Sequence, residues 1–418
     1  MNVLIKSAKI IDKNSSFHQL TKDVLIENGI ITKIANKISN PNKIKEITFE
    51  NLHISNGWFD SSVSLGEPGY EERENIDHGL VVAAKSGFTG IALNPNTKPF
   101  IDNKSAVEFL KRKGIDSIVD LYPIANLTKN SEGKELAELY DMQNSGAIAF
   151  ADYNQPVSNA NLMKIALLYA QNFDGLVMSF PQDNSIATIG IVNESENTTR
   201  LGLDSIPSLA EELQLARDLF LLEYTGGKLH IPTISTAKSV KMIKDAKKKG
   251  LDVSCSVSVH HLVLTDKEIN SFDTNYKVKP PLRSISDTKA LIKGVKNGTI
   301  DMIVSDHNPI DIENKNVEFA NGMYGTIGME SFFGGVHSVL EIEDFINCIT
   351  ENPRLRFGLA INKIAKGEKA NLSLFNPDHS YTFTNDQILS KSRNSAFLGK
   401  ELRGIVYGVI ANNKISIN

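Results

Sequence analysis

The rhythm of apolar and polar positions changes twice along the chain. From residue 1 to about 52, apolar residues fall in short alternating clusters, Val3-Leu4-Ile5, Ile10-Ile11, Val24-Leu25-Ile26 and Ile30-Ile31, the texture of half-buried strands. Asn28-Gly29, between the last two clusters, suits a type I′ hairpin, whose central residues both need positive φ. From about 53 the rhythm becomes a short apolar run followed by a stretch of helical period, repeated. The runs start with Ile54 and continue at Phe88 to Asn94, Ser117 to Tyr122, Gly146 to Asp152, Gly175 to Phe180, Lys228 to Ile234, Leu251 to Val257 and Ile300 to Asp306. Eight strand-helix units predict an α/β fold, a (β/α)8 barrel of the TIM type. Thr236 to Gly250 typifies the connectors, with Val240 and Ile243 on one face and Lys247 to Lys249 forming a solvated end near the negative pole of the helix dipole. After about 365 strand texture returns in Asn371 to Phe375 and Ile405 to Ile410, which turns at Asn412-Asn413 into Lys414 to Ile417. Like textures at both ends predict one composite β-sandwich domain from 1–52 and 365–418, beside a barrel spanning 53–364. The polar stretch 308–325 reads as a lid or a disordered loop.

Composition narrows the partners more than the fold. A net charge of −4 with interspersed Lys and Glu leaves no basic footprint for nucleic acid. No apolar run approaches the ~18 residues of a membrane span, and the start Met-Asn-Val-Leu-Ile-Lys is too strand-like for a signal peptide. The expectation is a cytoplasmic protein that meets small molecules or other proteins. Cys255 and Cys348 sit in apolar contexts without Cys-x-x-Cys spacing, so both are expected to be buried, reduced thiols.

Barrel chemistry belongs at the C-terminal ends of the strands. There the chain reads Asp60-Ser-Ser62-Val-Ser64-Leu-Gly66-Glu67-Pro68-Gly69, then Asn94-Pro-Asn-Thr97, Ala149-Phe-Ala-Asp152, Asn193-Glu194 through Thr199-Arg-Leu-Gly202, Gly226-Gly-Lys-Leu-His-Ile231, His260-His261-Leu262, Pro280-Pro-Leu-Arg283 and Ser305-Asp306-His307. Taken in order, these segments resemble the dihydroorotases of the amidohydrolase superfamily, whose first strand ends in Asp-x-His-x-His-x-Arg-Glu-Pro-Gly. The resemblance implies a barrel that holds one or two zinc ions and reversibly closes carbamoyl aspartate into dihydroorotate. It also implies a role in pyrimidine biosynthesis. A metal-bound hydroxide attacks the ring amide, and an aspartate after the last strand moves the proton.

Carried over residue by residue, the resemblance puts Ser62 and Ser64 at the two strand-one histidines, Phe180 at the strand-five histidine and Thr233 at the strand-six histidine. Of the family's metal ligands only the carboxylates Asp152 and Asp306 remain. Hydroxyls and carboxylates alone hold zinc poorly, so no metal cofactor is expected, and Asp306 is left as a vestigial general base. His230 is expected to face away from Thr233, and His260-His261 to be satisfied within the core. The family's substrate positions read Gly66, Lys98, Lys279 and Ile310. No lysine restores the planar fork of the lost arginine. Lys98 and Lys279 are either solvated loop residues or the two sides of a remodelled anion site.

Three functions follow from this reading. The first is a metal-free pseudoenzyme acting through protein contacts, as a homodimer or with aspartate carbamoyltransferase, the partner implied by inactive relatives. The second is a hydrolase of dihydroorotate, a hydantoin or allantoin with a non-standard site. The third is a small-anion-binding module.

Overall fold

The N-terminal clusters form strands β1 (Asn2–Ile11), β2 (Thr21–Glu27), β3 (Ile30–Ala35), β4 (Lys45–Ile47) and β5 (His53–Asn56) in a computed structural model that describes residues 1–41 and 43–418. The β2–β3 turn has φ of 51° at Asn28 and 76° at Gly29, the backbone that a type I′ hairpin requires. The barrel strands are β6 (Trp58–Val63), β7 (Phe88–Leu93), β8 (Asp120–Ala125), β9 (Ala149–Phe150) and β10 (Leu176–Met178). A two-stranded excursion, β11 (Val192–Asn193) with β12 (Ser205–Ile206), precedes the remaining barrel strands β13 (Lys228–Ile231), β14 (Val253–Ser258) and β15 (Met302–Val304). The chain ends in β16 (Leu372–Thr382), β17 (Glu401–Ala411) and β18 (Lys414–Ile417).

Strands β6 to β10 and β13 to β15 pair in parallel in chain order. The ring closes through a bridge between Val63 and His307 and a hydrogen bond from Ser64 N to His307 O at 2.7 Å. The fold is therefore the α/β barrel that the strand-helix rhythm predicts. Alternation divides its strands: Phe59, Ala92, Ile124, Ala149, Leu176, Met178 and Met302 fill the inside, while Ile91, Phe150, Val177, Leu229 and Ile303 face the helices. Strand β8 lies three residues later than expected at both ends and runs through Pro123 to Ala125, although proline usually interrupts strands. The proline has no N–H to lose from the ladder, and its carbonyl accepts Ile148 N at 3.0 Å.

The terminal pieces meet in one eight-stranded sheet, ordered β18-β17-β16-β5-β1-β2-β3 with β4 beside β1. Val3, Ile5, Val24, Ile54, Leu372 and Ile410 are among its core residues. Strand β5 pairs in parallel with β1 and antiparallel with β16, so Ile54 belongs to this sheet and the first barrel strand starts at Trp58. Gly57 marks the change: a Cβ there would lie 2.0 Å from Asn371 and 2.1 Å from Thr89. Trp58 joins the two parts, with ring centroids 5.5 Å from Phe375 of the terminal sheet and 6.2 Å from Phe88 of the barrel.

Two surface expectations change. Lys247 is no solvated helix end, because its ammonium donates to Thr299 O at 2.9 Å and lies 2.6 Å from Asp301. The 308–325 segment is pinned as well: Lys315 is buried and donates to Thr274 O and Met323 O, while Asn394 Nδ2 donates to Asn308 O and Gly325 O. Both cysteines are buried and unpaired. Among the described residues no helix is long and apolar enough to cross a membrane.

Candidate functional site

At the C-terminal end of the barrel, Ser62, Phe180, Thr233, Lys279 and Asp306 converge on one cavity together with Asn94, Tyr153, Asn154 and Met178. The cavity measures ≈ 20 Å³, space for about one water molecule. Phe180 and Met178 supply apolar walls, both nearly inaccessible to solvent. Thr233 leaves strand β13 with φ of 48°, and its N–H donates to Ser256 Oγ at 3.1 Å.

A short polar chain crosses the floor. Asn94 Nδ2 donates to Ser62 Oγ and to Ser64 Oγ, each at 3.2 Å, and Ser62 Oγ donates to Asp306 Oδ1 at 3.1 Å. Burial pushes the Asp306 carboxyl up to about 7, against one hydroxyl bond that favours its charge. Asp60 behind it is also raised to about 7, chiefly by burial, although Ser62 N and Ser305 N donate to it. Lys279 reaches the opposite wall, where its ammonium lies 5.4 Å from the Phe180 ring centroid and donates to Asn154 O at 3.2 Å. Burial lowers it to about 8.

Other expected residues lie elsewhere. Asp152 does not line the cavity, because its carboxylate accepts Thr128 N at 3.0 Å and Thr128 Oγ1 at 2.5 Å. Lys98 is exposed, with its ammonium 5.6 Å from the Phe100 ring, and is not among the residues that line the cavity with Lys279. Ile310 is buried and lines a separate surface cleft beside Lys315 and Asn394. Gly66 has no room for a side chain: a Cβ would lie 1.8 Å from Tyr70 O and 2.8 Å from Glu74 O. His230 turns from the cavity to Ser254 and Ser256, at 2.8 and 3.3 Å, as alternation predicts.

The two adjacent histidines part company. His261 is satisfied by Ser258 Oγ at 2.6 Å and Pro281 O at 3.2 Å. His260 has no hydrogen-bond partner on either nitrogen and stands 3.8 Å from Asp306 Oδ2. Burial holds its pKa well below the ordinary value, so it is neutral at physiological pH. Sequence reasoning also passed over Tyr153, whose φ of 53° places it in the cavity wall. Its phenol is raised by burial and by the charge of Asp306.

These donors do not fit zinc. Four positions that need imidazole hold two hydroxymethyl groups, a phenyl ring and a threonine, and one remaining carboxylate is committed to Thr128. Among the described residues, no group of three or more His, Cys, Asp or Glu side chains could hold a metal ion.

A family model described as dihydro-orotase-like matches residues 53–239. A dihydroorotase of Caldicellulosiruptor saccharolyticus is 40% identical over 422 residues, covering 99% of this chain and 98% of the relative. One from Geobacter metallireducens is 34% identical over 424 residues, covering 99% of each. Among solved structures, an L-hydantoinase (dihydropyrimidinase) from Arthrobacter aurescens superposes with a TM-score of 0.86 at 20% identity, over 100% of this chain and 96% of the other. At that identity the likeness speaks for the fold alone.

Proposed function

We propose, from the premise that this chain belongs to the dihydroorotase-like family, that it is a member without the family's metal chemistry. Its role in pyrimidine biosynthesis is then carried by protein contacts, with aspartate carbamoyltransferase as the first partner to test. One observation carries the reading: the strand ends that should present imidazoles enclose a cavity of ≈ 20 Å³ around a single carboxylate. The cavity as it stands is narrower than a cyclic amide, and with no imidazole at those strand ends a water beside Asp306 has no bound Lewis acid to lower its pKa from about 15.7 to about 7.

The test is metal analysis and turnover on protein purified without a metal-binding tag. Expected are no stoichiometric zinc and no dihydroorotate hydrolysis above blank, with or without added Zn²⁺ or Mn²⁺. Co-purification of the transcarbamoylase, across a contact of at least about 1,000 Å², supports the contact role. The same cell should then encode a second chain with the Asp-x-His-x-His loop intact. Stoichiometric zinc, or turnover, would falsify the proposal.

A second reading is favoured by the Asp306 carboxyl at about 7. A group so poised serves as a general base near neutrality, which suits a metal-independent hydrolase of dihydroorotate, a hydantoin or allantoin. Turnover of any of these that Asp306→Asn abolishes would establish it.

A further inference from the structure

We infer that the surface cleft beside the 308–325 segment is a second ligand site, separate from the barrel cavity, and that it takes a small zwitterion of the amino-acid class. The cleft measures ≈ 1110 Å³, just above the roughly 300–1,000 Å³ of small-molecule sites. Three stretches of chain converge on it, 273–275, 310–316 and 391–394. Much of its floor is fixed in advance, because Thr274, Ile310, Ser392 and Asn394 are buried and the three polar side chains bond to backbone carbonyls.

What the floor lacks is a counter-charge. Lys315 is buried, and its ammonium donates to Thr274 O at 2.7 Å and Met323 O at 2.8 Å, which leaves one of its three N–H groups unspent. Lys277, also buried but outside the cleft lining, donates to Phe319 O at 3.1 Å and Ala320 O at 2.7 Å. Among the described residues, all these acceptors are carbonyls and neither ammonium pairs with a carboxylate. Burial, and after it the charge of Lys277, brings Lys315 down to about 7. A carboxylate on the remaining N–H of Lys315 supplies the charge that the chain withholds.

The rim carries the opposite sign on the same stretches. Asp273 directly precedes Thr274 and Glu313 stands two residues before Lys315, and both are exposed. Asp273 is near enough for its charge to raise Lys315, yet its Oδ1 accepts Asn275 N at 2.8 Å and the two side chains do not pair. A zwitterion bridges such a gap, with its carboxylate on Lys315 and its ammonium toward the rim carboxylates. A polyphosphate does not, because Asp273, Glu313 and the exposed Glu72 repel it. The other charged groups of the cleft are committed, Asp311 to Arg73 at 3.1 Å, Lys391 to Glu71 O at 2.6 Å and Arg393 to Asn385 O at 2.9 Å.

The test is titration calorimetry on the full chain near pH 8 with each of the common amino acids, against acetate, ethylamine and pyrophosphate. At least one amino acid should bind with a Kd below about 1 mM, and acetate, ethylamine and pyrophosphate should each bind at least ~10-fold more weakly. Binding should take up protons, because a carboxylate beside Lys315 raises it from about 7, so the heat should change with the ionisation enthalpy of the buffer. Lys315→Met should weaken binding at least ~10-fold and abolish the proton uptake. Asp273→Asn, at an exposed position where the fold tolerates exchange, should weaken it by a similar factor. Failure of every amino acid to bind, pyrophosphate or acetate binding as tightly, or an affinity indifferent to either substitution would overturn the inference.

Discussion

Asp306 sits where its charge is unfavourable, and that has a measurable sign. Its carboxyl titrates near 3.8 when the chain is unfolded and near 7 when it is folded, so between those values the folded state holds a proton that the unfolded state has released. This contribution to stability is full below about pH 4, falls as pH rises and is lost above about pH 7. Asp306→Asn should therefore match the parent near pH 4 and exceed it at pH 8 by about 1–3 kcal/mol, read as urea midpoints. Asp60, raised by the same cause, leaves the variant a residual slope of the same direction. Gly66 makes the opposite case, in which space and not charge decides. Backbone atoms crowd its missing Cβ, so Gly66→Ala should cost about 1–3 kcal/mol. Gly66→Arg cannot restore the family's anion contact without rebuilding the Tyr70–Glu74 turn, and an unchanged melting midpoint for Gly66→Ala would refute the crowding. The absent imidazoles were legible because the flanking frame survives in sequence. The orphaned His260 and the inward Tyr153 were not, since both depend on a neighbour distant in the chain or on a positive φ that no residue type announces.

Arg283 shows what the family-like segments do as elements. Its guanidinium donates to Ser235 Oγ at 3.0 Å, Asn193 Oδ1 at 2.9 Å and Ile206 O at 3.0 Å. It thereby ties the loop after β14 to the loop after β13 and to the β11–β12 excursion. Glu211 completes the node by accepting Ser235 N and Thr236 N. Removing the cation leaves Glu211 buried without its counter-ion, so Arg283→Ala should cost about 3–5 kcal/mol in chemical denaturation. Arg283→Lys should recover little of it, because an ammonium cannot span three acceptors in one plane. A lysine variant with parental stability would mean that charge alone holds the node. At this scale the strand-helix rhythm was readable from periodicity, whereas the 308–325 segment was not. Its polar composition suggested mobility, but the buried Lys315 and the bonds from Asn394 give its backbone groups fixed partners.

At the scale of the whole molecule, the barrel interior and the terminal sheet are both filled by apolar side chains. A chelator in excess should leave the thermal midpoint unchanged, and a drop would reveal a bound ion that supports the fold. The two-piece terminal domain was foreseen because strand texture returns after residue 365; the place of β5 was not, because one almost continuously buried stretch, from His53 to Val63, serves two sheets on either side of Gly57. That placement bears on how the chain is made. Strand β5 lies between β1 and β16, and β16 leaves the ribosome some three hundred residues after β5. At about 5–20 residues per second that is a delay of roughly 15–60 s. During it the far edge of β5 stands open to any extended segment, so the newborn protein passes through an interval in which a chaperone, or the barrel folding beside it, must guard that edge.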